Sequence, residues 1–391
     1  VLVLVLLAVA VPWRLATESS PPLLLHRTLA AYVRVPGTPP VFAWPREGQA
    51  AVEVEGVGNS WTSGGHAPVP IASVAKIMTA YLILLDHPLR ADEQGFVVSI
   101  TPAEVQEEQQ RAALGESTLA VRAGEQITER QALEALLLPS ANNIAELLAV
   151  HDAGTLASFV NRMNSTARKL GMLSTTYTDP SGFNDETVST AADQLKLARV
   201  AMRQPAFATI VDEPSAELPD VGRVTNFNGL VGSNGYVGVK TGSDRAAGGC
   251  LVFAKRVAVA GRRLTVLGVV LGQREGSLID AALEGAEALG DSVAAALHVE
   301  TVLPAGTSVL TAKSADGRRT IAVTAAALQE IGWPGLTIAV RVSARPAMRS
   351  LRAGERMATV AIRGASVSTT GAVAERSLGG ASLGWRIQHL L

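Results

Sequence analysis

The run Pro70-Ile71-Ala72-Ser73-Val74-Ala75-Lys76-Ile77-Met78-Thr79-Ala80 constrains this chain more than any other stretch. A proline precedes a serine, and an apolar helical run continues through Leu85. Ser73 and Lys76 stand three apart, which at a helix start puts both side chains on one face, one turn apart. Serine becomes a nucleophile only with a base in hydrogen-bond reach. Lysine can be that base when its amine is neutral, a state that burial or a neighbouring cation produces. Arginine cannot, because it does not deprotonate in proteins. Only 6 of the 34 basic residues are lysines, so a lysine here carries some information. Set against this, a serine and a lysine three apart arise by chance in a chain this long, and a serine at a helix start is usually a cap. The dyad means chemistry only if other motifs join it.

At 391 residues the chain is long enough for two domains with substantial cores. Hydrophobic content of 48% and charged content of 18% argue against disorder. The net charge of −1 gives no global field for nucleic acid or an anionic surface. No basic run or zinc-finger spacing occurs, so nucleic-acid binding is not expected. Cys250, the single cysteine, sits in an apolar run and reads as a small core residue; no intrachain disulfide can form. His26, His66, His87, His151, His298 and His389 show no metal-ligand spacing, so neither a metal nor another cofactor is expected. Val1–Val11 is uninterrupted apolar and is followed by Pro12-Trp13-Arg14. Eleven residues do not span a bilayer, but they suit the end of an export signal or a truncated anchor.

Residues 12–40 hold six prolines and read as a linker, with a short helix near Leu23 to Tyr32. Gln49 to Glu55 alternates as a strand, and Asn59 to Thr62 begins its partner after a Gly56–Gly58 turn. Thr128-Glu129-Arg130-Gln131 resembles a capping box, with a helix to Leu138 that Pro139 ends. Ser140 then precedes a second helix, Asn142 to Val150. Thr155 caps a helix through Leu170, and Thr190 to Met202 forms another. Tyr236 to Gly242, Gly248 to Phe253, Arg256 to Ala260 and Leu264 to Leu271 read as strands, with a tight turn at Gly261-Arg262. Ser277 to Leu297 is a closing helix. Beyond 298 the text changes to short β-type runs between Gly and Pro turns. The expected organisation is an apolar segment and linker over 1–40, an α/β domain over 41–297, and a small β-rich module over 298–391.

Three elements now stand out: Ser73-Val74-Ala75-Lys76, Ser140-Ala141-Asn142 and Lys240-Thr241-Gly242. Each pattern occurs once, and their order resembles the SxxK, SxN and KTG set of penicillin-binding serine acyl-transferases. Leu136-Leu137-Leu138-Pro139-Ser140-Ala141-Asn142-Asn143, Phe159 to Asn164, Lys169-Leu170-Gly171-Met172, Asp179-Pro180-Ser181-Gly182-Phe183 and Ala247 to Val252 are similar to low-molecular-mass D-alanyl-D-alanine carboxypeptidases. The resemblance covers roughly residues 45–295; Leu351 to Val360 is a weaker match to that family's β module. Ala75 departs from the usual threonine, and Trp385 to Leu391 is too short for the membrane helix that often ends the family.

The resemblance implies a DD-peptidase/β-lactamase-like α/β fold: an antiparallel sheet flanked by helices plus an all-helical block, followed by the small all-β module. It implies a Ser73 acyl-enzyme, Lys76 as its base, Ser140 passing a proton to the leaving amine, and Asn142 orienting Lys76. Lys240 and Thr241 would bind the substrate carboxylate, Gly242 would leave room for the substrate backbone, and the N–H groups of Ser73 and Ser243 would form an oxyanion hole. The implied substrate is the peptidoglycan pentapeptide with its D-Ala-D-Ala terminus, and β-lactams are covalent inhibitors. The implied location is extracytoplasmic, with possible N-terminal membrane association. A class A-like β-lactamase fits less well. No Glu-x-x-Leu-Asn occurs between 143 and 239, and Ala141 stands where that class prefers aspartate. An inactive wall-binding protein would need a defect that no motif residue displays.

Overall fold

The computed structural model describes residues 20–90, 92–218 and 220–389. The apolar Val1–Val11 segment and the export expectation lie outside the described residues. The described residues divide into two compact units: one within 41–55 and 59–296, the other within 20–40, 56–58 and 297–389.

The first unit holds a five-stranded sheet. Its strands are β1 (Gln49–Val54), β2 (Val57–Gly64), β3 (Tyr236–Asp244), β4 (Gly248–Val259) and β5 (Arg262–Gln273), in spatial order β3-β4-β5-β1-β2. Neighbouring registers from β3 through β1 are antiparallel. The first eight residues of β4 are all buried, whereas its last four alternate toward solvent. The runs expected as two strands, 248–253 and 256–260, are therefore one strand that leaves the core before it turns. Ala260 and Gly261 both take positive φ, 48° and 76°, the mirror-image turn whose twist matches a hairpin.

Helix α8 (Leu278–Ala296) packs on β4 and β5, and helix α6 (Ala191–Ala201) packs on β5 and β1. Between β2 and β3 the chain forms a helical block around α1 (Lys76–Asp86), with α2 (Pro102–Ala113), α3 (Glu129–Leu137), α4 (Asn142–Ala153), α5 (Leu156–Lys169) and α7 (Pro205–Ile210). Eight of the eleven α1 residues are buried, so this helix is the hub of the block. The Thr128/Gln131 capping box forms in both directions, and Thr101/Glu104 forms a second at the start of α2. Short strand pairs trim the block, among them Val97–Ser99 with Gln126–Thr128.

The second unit is a seven-stranded antiparallel sheet in the order 24–27, 308–313, 319–324, 367–374, 356–363, 337–344, 32–34, beside a pair formed by 298–303 and 328–332. Residues 20–40 are not the expected linker with a helix near Leu23 to Tyr32. They supply both edge strands of this sheet, Leu24–Arg27 and Tyr32–Arg34. The period is two rather than 3.6: Leu23 is 7% exposed and Leu24 68%. Only residues 28–31 join the two edge strands, and Arg27 Nη2 donates to Val340 O at 3.0 Å across the gap. The sheet curls around a core that includes Val309, Ala322, Met357 and Val360. Among the described residues no helix is long and apolar enough to cross a membrane.

Candidate active site

Ser73 lies in a 3-10 turn, Ala72–Ala75, that runs directly into α1. Neither helix start has a side-chain cap bond, so Ser73 is not the cap that a serine here usually is. Its hydroxyl meets Lys76 instead: Nζ stands 2.8 Å from Ser73 Oγ. Lys76 is fully buried, and Nζ also donates to Asn142 Oδ1 at 2.6 Å and to Ser181 O at 2.9 Å. Burial, then the nearby Lys240 cation, holds the Lys76 amine well below its ordinary pKa; Asp179 and Glu116 oppose that shift.

This coordination has a chemical consequence. Asn142 Oδ1 and Ser181 O can only accept hydrogen bonds, so they occupy both N–H bonds of a neutral amine. The lone pair is then left for the third neighbour, the Ser73 hydroxyl, which is the only one of the three able to donate. In its neutral form the Lys76 amine would present that lone pair to the Ser73 hydroxyl.

Four elements converge on this centre. The Ser140-Ala141-Asn142 segment breaks between α3 and α4, where Ser140 takes φ 66°, an uncommon value for a residue with a Cβ. Ser140 is 3% exposed, and its Oγ is buried without a hydrogen-bond partner. Strand β3 crosses the Ser73 turn. A Cβ on Gly242 would lie 2.9 Å from Ser73 N and 3.0 Å from Val74 N, so only glycine lets the strand come this close. Lys240 and Gly242 share one side of β3 by strand alternation. Lys240 is 1% exposed, donates to Thr241 O at 3.0 Å, and is pushed down to about 7 by burial. Thr241 is buried, whereas Ser243 is exposed beyond it.

The fourth element is the Asp179 loop, to which no site role was given from the sequence. The Asp179 carboxylate accepts from the backbone N–H groups of Ser181, Gly182, Phe183 and Asn184 and from Thr187 Oγ1. That fixes Ser181 O toward Lys76. Gly182, at φ 78°, lets the loop seat on the Ser73 turn, since a Cβ there would lie 1.9 Å from Ala72 O. Thr79 Oγ1, one turn beyond Lys76, donates to Pro180 O at 2.6 Å.

Glu116 was also missed. Its Oε2 accepts from Asn142 Nδ2 at 2.7 Å, and its side chain is 3% exposed. Arg111 binds Glu116 at 3.1 Å and also pairs with Glu107 and Glu146. Asn142 N donates to Ser117 O, and the Asn143 amide exchanges two bonds with the Leu119 backbone, so α4 straps this segment against the site. No sequence motif marks Glu116; the doubled Asn142-Asn143 was the available signal that α4 begins against another strand of chain. Among the described residues, no group of three His, Cys, Asp or Glu side chains is placed to hold a metal ion.

The D-alanyl-D-alanine carboxypeptidase family matches residues 62–275, a stretch that contains Ser73, Lys76, Ser140, Asn142, Lys240, Thr241, Gly242 and Ser243. The chain is 33% identical over 208 residues to a D-alanyl-D-alanine endopeptidase of Pseudomonas aeruginosa, a match covering 51% of this chain and 63% of the relative. It is 32% identical over 224 residues to a D-alanyl-D-alanine carboxypeptidase of Streptomyces sp. strain K15, covering 51% and 71%. The chain thus spans less than two thirds of the endopeptidase it matches. Among solved structures, the Streptomyces K15 DD-transpeptidase is similar with a TM-score of 0.55 at 30% identity, covering 66% of this chain and 98% of that one. A D-alanyl-D-alanine carboxypeptidase from Francisella tularensis shares the fold over 88% of this chain, with a TM-score of 0.59 at 19% identity.

Proposed function

Because the chain belongs to the D-alanyl-D-alanine carboxypeptidase family, we propose that it removes the terminal D-alanine from peptidoglycan stem peptides through a Ser73 acyl-enzyme. The observation that carries this reading is the coordination of Lys76, whose Nζ lies 2.6 Å from Asn142 Oδ1, 2.9 Å from Ser181 O and 2.8 Å from Ser73 Oγ. Ser73 Oγ attacks the carbonyl carbon of the penultimate D-alanine as its proton passes to Lys76 Nζ. The tetrahedral oxyanion is held by the Ser73 and Ser243 N–H groups; losing one such donor typically costs about 3 kcal/mol of transition-state stabilisation. The peptide C–N bond then breaks. The proton held by Lys76 reaches the departing amine through Ser140, whose otherwise unpartnered hydroxyl suits a transient relay. Water releases the acyl group and restores Ser73.

Substrate choice follows from charge. Lys240 sets a positive field on the side of β3 that faces the nucleophile turn, and Thr241 supplies a hydroxyl for the C-terminal carboxylate. An internal peptide residue offers no such anion, which favours a carboxypeptidase. The endopeptidase name of the Pseudomonas relative supports a second reading, cleavage of internal cross-links at the same centre. β-Lactams would acylate Ser73 covalently. Work on peptidoglycan places the site outside the cytoplasm, and the apolar Val1–Val11 segment suits export or membrane association.

Intact-mass measurement after penicillin tests the proposal. One adduct should appear on the peptide containing Ser73 and be absent from Ser73→Ala. An adduct that persists in that variant would reject Ser73 as the nucleophile. Release of D-alanine from a diacyl tripeptide, compared with cutting of a cross-linked dimer, separates the two peptidase readings.

A further inference from the structure

The net charge of −1 conceals two opposite halves. Residues 41–296 contain 20 Lys and Arg against 29 Asp and Glu, whereas 20–40 with 297–391 contain 13 against 5. The β-rich unit is therefore strongly cationic, and the absence of a field inferred from the whole-chain charge does not hold for it. The excess is placed rather than scattered. The seven strands of its curled sheet contain Arg27, Arg34, Lys313, Arg319, Arg341, Arg356 and Arg363 and no acidic residue.

Part of this sheet forms a trough of about 480 Å³, lined by Arg27, Tyr32, Arg341, Arg363 and Val367 around Ala339 and Ala361. The register explains the shape. Ala339 faces Arg363 and Arg341 faces Ala361, so two arginines stand diagonally with small side chains between them. Tyr32 pairs with Ala339, and Val367 with Arg363, so they wall the two sides, 66% and 63% exposed. Arg27 is pinned at the trough by bonds to Leu29 O, Ala30 O and Val340 O. Arg341 and Arg363 are exposed and have no ion-pair or hydrogen-bond partner among the described residues. Elsewhere in the unit Arg318, Arg345 and Arg376 each have a carboxylate nearby.

We propose that this arginine-lined trough binds a linear polyanion whose phosphate groups repeat along a flexible chain. The planar guanidinium fork matches phosphate oxygens two at a time, and arginine is used here almost to the exclusion of lysine. A concave floor of alanines admits a chain. A bilayer surface would instead meet a raised basic face, whereas these arginines line a concavity. Such a site would hold the enzyme beside a phosphate-bearing polymer without touching its chemistry, and it stands independently of the acyl-enzyme reading.

Long-chain inorganic polyphosphate is the probe, titrated against the full chain. Binding should be lost steeply with salt. Three or four phosphate contacts predict a fall of roughly twentyfold to fiftyfold between about 50 and 200 mM. Arg341→Ser with Arg363→Ser should weaken binding about tenfold and flatten the salt slope by about 1 to 2, with penicillin acylation unchanged. Arg352→Ser with Arg376→Ser removes the same charge from outside the trough and should change little. Equal loss in both doubles would overturn the trough in favour of bulk charge. Absence of polyphosphate binding at low salt, or binding only to vesicles of equimolar phosphatidylglycerol and phosphatidylcholine, would overturn the proposal as well.

Discussion

Asn142 Nδ2 donates to Glu116 Oε2 at 2.7 Å, and this turns the opposite end of the amide, Oδ1, onto Lys76 Nζ. A buried carboxylate accepts only, so it dictates which way the amide points. We propose that Glu116 positions the proton acceptor, acting through Asn142.

Two substitutions separate its orienting and electrostatic effects. Glu116→Gln can still accept from Asn142 but loses the charge that raises the Lys76 pKa. Lys76 must be neutral to accept the Ser73 proton, so the acid limb of acylation should move to lower pH. Glu116→Ala frees the amide to rotate, and acylation should fall by about 1 to 2 kcal/mol, roughly tenfold. Stopped-flow acylation by penicillin across pH measures both. Unchanged rates and an unchanged acid limb in both variants would remove Glu116 from the mechanism.

Lys76 and Lys240 are both buried lysines, yet their substitutions by arginine should part. Arginine keeps charge and cannot act as a base. Lys76→Arg should abolish acylation. Lys240→Arg should keep measurable turnover, weakened by about 1 to 3 kcal/mol through misfit. The pH dependence sharpens this. The Lys240 pKa is lowered to about 7, so its charge fades as pH rises through that value, and capture of a carboxylate substrate should weaken above it. Lys240→Arg should lack that alkaline limb. Near-normal acylation by Lys76→Arg with a dead Lys240→Arg would mean that the roles are reversed.

The elements legible in the sequence are those set by local rules. The Thr128 capping box, the break at Pro139 and the glycines of β3 each carry their own signal. What escaped depends on partners far along the chain. Glu116 sits in Gly115-Glu116-Ser117, plain turn text, and its contact with the site is to Asn142, 26 positions away. Residues 24–34 look like a linker because no strand lies beside them in sequence; their partners are 308–313 and 337–344. Strands 328–332 and 367–374 carry a weak signal of their own, because Ser, Thr, Gly and charged residues dilute their alternation. The site was legible through motif order, but the acceptors that hold Lys76 came partly from the Asp179 loop, whose carbonyl has no side-chain signature.

That strand assignment changes how the catalytic unit should be isolated. We propose that residues 41–296 fold and acylate without the β-rich unit, as the 98% coverage of the Streptomyces K15 chain by part of this one suggests. A chain cut only after Leu297 would keep the 24–27 and 32–34 strands without partners, exposing Leu23 and Val35, which are 7% and 2% exposed in the intact protein. The 41–296 chain should label with fluorescent penicillin at the full-length rate, and the 1–297 chain should be less soluble. If 41–296 melts cooperatively yet does not label, the β-rich unit contributes to the site.

Glu129 offers a test of the electrostatics away from the chemistry. It opens α3, is 2% exposed, and its Oε1 has no hydrogen-bond partner. Burial pushes its carboxyl up to about 7, although a backbone bond from Phe96 pulls the other way. Between the ordinary value of 4.5 and about 7 the folded protein holds a proton that the unfolded chain releases. The stability contributed by protonation is thus full below about 4.5 and is lost as pH rises through about 7. Glu129→Gln keeps the shape and removes the titration. It should leave stability at pH 5 nearly unchanged and raise it at pH 8 by about 1 to 2 kcal/mol, a few degrees in Tm. Urea unfolding at the two pH values measures the difference. Equal destabilisation at both would mean that the carboxylate is held charged by partners, and that burial does not govern this site.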